Sequence, residues 1–237
     1  MFEPTLDNYK VLFDISTAGS SNYGTIRINF LEPILNSVII SGGAVLVSLI
    51  IGIPAGYILA RSNFKFKEDI GFFILGFRFA PLILVIIPMF YFFTKLGIKD
   101  TYFGMVWVYQ VITLPMIIWL TRVYVEDIPI ELEEAAFVDG ASVLHVIYKI
   151  ILPLLRPGLV GASLLVFLLA WHNFALGLLL ASKKAPVTVA LLKLLNPGIN
   201  FYPVMACGLV ISMIVPILLI FLGQKHFVKG LTFGAVK

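Results

Sequence analysis

The residues with most chemistry to offer stand in one polar stretch, 126–158, which reads EDIPIELEEAAFVDGASVLHVIYKIILPLLRPG. Glu131, Glu133 and Glu134 follow Pro129 into the early turns of a short helix, where the backbone dipole favours anions. Ile128, Leu132, Ala135 and Ala136 recur at helical spacing as a shallow apolar face. Gly140 breaks the run after Asp139, and Ser142 can cap a second helix whose apolar face is Val143, Val146, Ile147 and Ile150. Pro153 and Pro157 are expected to end that helix. Ala135, Ala136, Gly140 and Ala141 leave a knob of little bulk that could enter a groove on a partner protein. The competing reading is a helix pair lying in the membrane interface with no partner.

Bond-making chemistry is not offered. No G-x-x-x-x-G-K-[ST] loop exists to cradle phosphates. No Ser–His–Asp or Cys–His set can be assembled, because the long apolar runs contain no acid. His145, His172 and His226 stand on different segments, so no metal site is expected. Cys207, the one cysteine, sits in an apolar run as a small hydrophobe. The remaining candidates are polar or aromatic residues inside the apolar runs. Asn36, Gln110, His172 and Asn173 could line a polar cavity and hydrogen-bond a solute's hydroxyls. Arg78 could face the same route, snorkel, or pair with a neighbouring subunit. Trp171, like Trp107 and Trp119, could stack on a solute or simply pack.

The elements that position these residues follow from composition. Of the 237 residues 60% are hydrophobic and only 13% charged, and the mean hydropathy is +1.02. A soluble core of that length could not hide so much apolar surface, so lipid must be its solvent. The basic residues form no patch or stripe, and no nucleic-acid partner is expected. Five runs, 34–60, 70–94, 102–125, 159–182 and 204–223, reach the ~20 residues that cross the hydrocarbon as helix. Arg61, Arg122, Arg156 and Lys225 flank spans on one side, which places 126–158 and the C-terminus inside and 1–33 outside. A polar N-terminal segment crosses more naturally behind an upstream helix, so a sixth span preceding Met1 is expected. The transmembrane domain is expected over 34–237, and Ser41, Gly42, Gly43, Ala44 and Ser48 suit close helix approach.

The spacing of Glu134-Ala135-Ala136, Gly140, and then Ile150, Leu152 and Pro153, with Asp139 and Ala141 beside the glycine, resembles the "EAA" signature of permease subunits of binding-protein-dependent ABC importers. The opening PTLDNYKVLF, Asn36-Ser37, the stretch from Trp171 to Phe174 and the closing FVKGLTFGAVK resemble carbohydrate importers of the maltose-permease type. His172-Asn173 departs from that family's usual Asn-Glu. The resemblance implies an all-α polytopic bundle in the inner membrane with a cytoplasmic coupling helix. It implies import of a sugar or polyol by alternating access, with a polyamine, phosphate or amino acid, or a membrane enzyme, as alternatives. It implies a second permease subunit, a cytoplasmic ATPase dimer that does the hydrolysis, and a periplasmic or lipid-anchored solute-binding protein. No cofactor is implied. Glu133, Glu134, Ala135, Ala136, Asp139, Gly140 and Ala141 are the expected ATPase-coupling residues, Glu133 and Glu134 through polar contacts.

Overall fold

Residues 6–13, 29–79, 81–196, 199–200 and 202–232 are described by the computed structural model, the side chains of 196, 199, 200 and 225–232 excepted. Much of the 1–33 segment and residues 233–237 of the closing FVKGLTFGAVK stretch lie outside what is described, as does the side chain of His226. The chain begins with a short helix, α1 (Asp7–Leu12), and its first long helix is α2 (Leu31–Arg61). A bent pair follows, α3 (Lys67–Gly76) with a 3-10 turn at Phe77–Phe79, then α4 (Leu82–Lys95). After α5 (Tyr102–Glu126) come the short α6 (Glu131–Val138) and α7 (Val143–Val146). A π-turn at Ile147–Ile151 leads into α8 (Leu152–Trp171), and the short α9 (Ala175–Leu180) and α10 (Val187–Lys193) follow. A two-residue antiparallel ladder, β1 (Leu195–Asn196) with β2 (Ile199–Asn200), precedes α11 (Tyr202–Thr232). Among the described residues four helical stretches are long and apolar enough to cross a membrane, and the count reaches five if the bent pair is taken as one broken span.

Two expectations are corrected here. The run 70–94 is not one helix, because its two halves meet at 88°. Pro81 has no N–H to give to the helix behind it, and it opens α4 with a non-helical ψ of 114°. Pro153 and Pro157 do not end a helix, since Val143 to Trp171 is a single 29-residue path. Pro153 lies in the first turn of α8, where a missing donor is tolerated. The preceding turn widens to π geometry, with the Leu152 N–H donating to the Ile147 carbonyl. The span therefore ends at Trp171 rather than 182, and α9 is a separate short helix.

The bundle is organised on α2 and α5. Gly52 and Gly56 let the two backbones approach: a Cβ on Gly56 would lie 2.6 Å from Thr121 Cβ and 2.7 Å from the Ile118 carbonyl oxygen. Gly43 faces Val106 in the same seam, and Ser41, Ala44 and Ser48 are buried, while a Cβ placed on Gly42 would meet nothing within 4 Å. One apolar cluster joins α1 to α8, α10 and α11 through Leu12, Phe30, Val166, Trp171 and Val204. A second packs Ile40, Ile86, Met105 and Leu176 around α2, α4, α5 and α9. The third lies at the other end of α2, where Ile53, Tyr57, Val125, Val146 and Ile151 bring α6 and the π-turn against the bundle. Outward faces of α4 and α11 remain apolar, with Ile83, Leu84, Tyr91, Val210 and Leu218 exposed, as lipid-facing surfaces require.

Candidate functional site

The knob is built as its composition dictates. Helix α6 closes with two bonds characteristic of a Schellman turn: Ala141 N–H donates to the Ala136 carbonyl (2.9 Å) and Gly140 N–H to the Phe137 carbonyl (3.0 Å). Gly140 stands at φ +83°, the left-handed position that this turn needs and a β-carbon resists. Ser142 Oγ then accepts the His145 N–H (3.3 Å) and caps α7. Ala136 and Ala141 touch the third cluster, and Ile128 joins them. Leu132 and Ala135, expected to share one apolar face with Ile128 and Ala136, are exposed, as are Glu134, Phe137, Val138 and Asp139. Val138 is 87% exposed.

Glu133 is the exception on this helix. It is 2% exposed, and both carboxylate oxygens are occupied within the chain. Arg61 Nε donates to Oε1 and the Tyr57 hydroxyl to Oε2, each at 2.6 Å. Arg61 Nη2 also donates to the Ile128 carbonyl oxygen at 2.6 Å. The carboxylate expected to meet a partner is thus spent on holding α6 against α2, and Glu134 alone of the pair is free to face outward. Tyr57 is the residue that reading along the chain overlooks, and Arg61 enters there only as a charge flanking a span. Their one signal is the i, i+4 spacing that sets both on one face at the end of a span. Nearby, Arg122 joins α5 to α3 through a forked contact to Glu68 (2.6 and 2.7 Å) and bonds Glu126 at 2.8 Å.

The polar residues of the spans separate by partner. Gln110 is buried, accepts from Ser48 Oγ at 2.7 Å, and donates to the carbonyls of Ala44 and Val106. It holds α2 to α5. Asn36 is buried, accepts from the Tyr102 hydroxyl (2.7 Å) and donates to the Ala185 carbonyl (3.2 Å). Trp171 is buried and stacked on Phe167, ring centroids 5.6 Å apart. These three have in-chain work. Asn173 is half-buried and caps α9 by accepting the Leu176 N–H (3.0 Å), while the Tyr109 hydroxyl donates to its backbone oxygen. His172 is exposed at the break between α8 and α9. Arg78 is half-buried in the turn before the bend, its Nη1 2.9 Å from Met116 Sδ. None of the six candidates shares a side-chain hydrogen bond with another. Among the described residues no group of three His, Cys, Asp or Glu side chains is placed to hold a metal ion.

The opposite end of the bundle from α6 is stitched by loop contacts. The Asp100 carboxylate accepts the backbone N–H groups of Ser182, Lys183 and Lys184 at 2.8, 2.9 and 2.9 Å. Burial works to raise its carboxyl pKa, but those three donors outweigh burial and hold it below the ordinary carboxylate value. Ser37 Oγ accepts the Val187 N–H at 2.8 Å, so the Asn36-Ser37 pair and Asp100 together fix the loop between α9 and α10.

Comparison with known proteins bears on this geometry. A family model described as "binding-protein-dependent transport system inner membrane component" matches residues 52–233. The trehalose/maltose transport system permease protein MalG of Thermococcus litoralis is 35% identical over 241 residues, covering 100% of this chain and 82% of that protein. The trehalose transport system permease protein SugB of Mycobacterium tuberculosis is 32% identical, covering 98% of this chain and 82% of its own. Among solved structures, a chain of a bacterial ABC transporter involved in import of the acidic polysaccharide alginate superposes with TM-score 0.68 at 24% identity, over 93% of this chain and 88% of its own. A chain of the inward-facing MetNI methionine ABC transporter superposes with TM-score 0.70 at 21% identity, over 85% of this chain and 95% of its own. At these identities the two structures speak for the fold.

Proposed function

The chain belongs to the family of binding-protein-dependent transport system inner membrane components, and from that premise we propose that it is a permease subunit of an ATP-driven importer that moves a sugar or polyol by alternating access. In this reading the segment 126–158 and the C-terminus face the cytoplasm, 1–33 lies outside, and 34–237 is the transmembrane domain. Its partners are a second permease subunit, a cytoplasmic ATPase dimer, and a periplasmic or lipid-anchored solute-binding protein. The chain itself hydrolyses nothing.

The observation that carries the reading is the exposed surface of α6. Leu132, Phe137 and Val138 stand out from the bundle beside Glu134 and Asp139, an apolar patch with a charged rim of the kind protein partners cover. Glu134, Ala135 and Asp139 are the partner-facing members of the expected coupling set. Glu133 anchors the helix, and Ala136, Gly140 and Ala141 shape its turn. The solute class is supported by sugar-transport relatives that align along essentially the whole chain. Arg78, His172 and Asn173 keep surface for the solute route, whereas Asn36, Gln110 and Trp171 serve packing.

Reconstitution tests it. Proteoliposomes holding this subunit with its partner permease and ATPase, supplied with binding protein, should accumulate radiolabelled trehalose or maltose only with internal ATP. Uptake of methionine in place of the disaccharide, or disaccharide uptake without ATP, would overturn the assignment.

A further inference from the structure

Resting on that reading, we propose that Tyr57, Arg61 and Glu133 form a yoke that makes the ATPase-facing helix α6 and the end of α2 move as one body. Along the chain, α6 is tied only to α5 and, through α7 and the π-turn, to α8. Both ties are turns: residues 127–130 on one side and Gly140 to Ser142 on the other. Turns transmit force poorly, because their dihedral angles can absorb displacement. The yoke supplies what the chain lacks, a stiff link to a third helix.

Its geometry suits that role. Tyr57 and Arg61 sit one turn apart on α2 and grip separate oxygens of one carboxylate, each at 2.6 Å. Two grips from successive turns resist rotation of α6 about its axis as well as sliding along α2. Arg61 holds the Ile128 carbonyl too, so the entry to α6 is pinned by the same guanidinium. The Arg61 side chain is 15% exposed and that of Glu133 2%. Bonds to a charged group in so dry a place are strong, and a lost partner leaves an uncompensated charge. The Arg122 contact to Glu68 differs, because the Glu68 side chain is 74% exposed and solvent screens it. α2 is packed along α5 with Gly52 and Gly56 in close backbone contact. A push delivered to the end of α2 therefore moves the pair on which the bundle is built. The yoke residues are positioning residues: they act through α6 and touch neither solute nor nucleotide.

The test uses the assembled transporter with Tyr57→Phe and Glu133→Gln, alone and together. Each removes part of the grip while keeping side-chain shape. Expected are intact assembly with the ATPase subunit and continued ATP hydrolysis, with solute moved per ATP lower by about tenfold. The double variant should fall no further than the worse single one, since both break one device. A second readout is the distance between spin labels at Ile58→Cys and Glu131→Cys, the latter exposed on α6 outside the partner-facing patch, in a Cys207→Ser background. It should be the same in nucleotide-free and ADP–vanadate-trapped transporter, and it should broaden when Glu133→Gln is added. Unaltered solute movement per ATP in both single variants, or a label separation that changes between the two wild-type states, overturns the yoke. Failure of the unaltered chain to hold any ATPase subunit would overturn the transporter reading instead, while the label separation within this chain would still decide the yoke.

Discussion

Replacing Gly140 isolates the backbone of the turn that closes α6 from everything around it. Its φ is +83°, and nothing lies within 4 Å of where a β-carbon would stand. Crowding therefore contributes nothing to Gly140→Ala, and the cost is the left-handed conformation alone, roughly 1–2 kcal/mol. That lowers the ratio of closed to frayed turn by a factor of about 5–30. Gly140→Asn should cost less, since asparagine adopts this conformation more readily. Gly140→Pro should cost about 3 kcal/mol or more, because the ring fixes φ near −65° and removes the N–H that bonds the Phe137 carbonyl. Hydrogen exchange at Phe137 to Ala141 in the detergent-solubilised protein reads the fraying directly, and transport in proteoliposomes reads its consequence. Both should follow the order Gly, Asn, Ala, Pro, with the proline variant still inserted in the membrane. Equal exchange in Gly140→Ala and the parent would refute the argument.

Two further outcomes follow from the hydrogen-bond pattern. Gln110→Leu should lower the melting temperature by the equivalent of about 0.5–2 kcal/mol, the range for a polar contact between membrane helices, and leave the half-saturating solute concentration unchanged; a changed half-saturation would return Gln110 to the solute route. Asp100 has a carboxyl held below its ordinary value, so its contribution to loop order is complete above the unfolded value of ~3.9 and is lost as pH falls through the lower folded value. Protease nicking of the loop 181–186 should therefore set in only on acidification below that point, and Asp100→Asn should show it already at neutral pH, with a loss on the order of 1 kcal/mol; a nicking rate independent of pH and of this substitution would refute the clasp.

The spans could be read along the chain because lipid demands about 20 consecutive apolar residues, a local property. The knob could be read because Pro129, the early glutamates, Gly140 and Ser142 act within a few residues of themselves, and α6 and α7 start and stop where those signals stand. What escaped depends on residues far away. Glu133 and Glu134 are adjacent and identical in type, and which turns inward is decided by Tyr57, 76 positions earlier. Asn36, Gln110 and Trp171 look like cavity residues until the Ala185 carbonyl, Ser48 and Phe167 are seen beside them. The prolines misled in both directions. Pro153 falls in a first turn and is absorbed, whereas Pro81 falls between two helices and marks the 88° bend.

The most direct test of the central claim is chemical cross-linking from α6 in native membrane vesicles. In a Cys207→Ser background, Val138→Cys lies on the exposed face of α6, and Ser182→Cys lies in the loop at the other end. A maleimide–benzophenone reagent attached to the cysteine at position 138 should, on illumination, join it to an ATPase subunit, and the same reagent at 182 should leave it unjoined to that subunit. An ATPase adduct formed from 182, or none from 138 in a transport-active complex, would contradict the account.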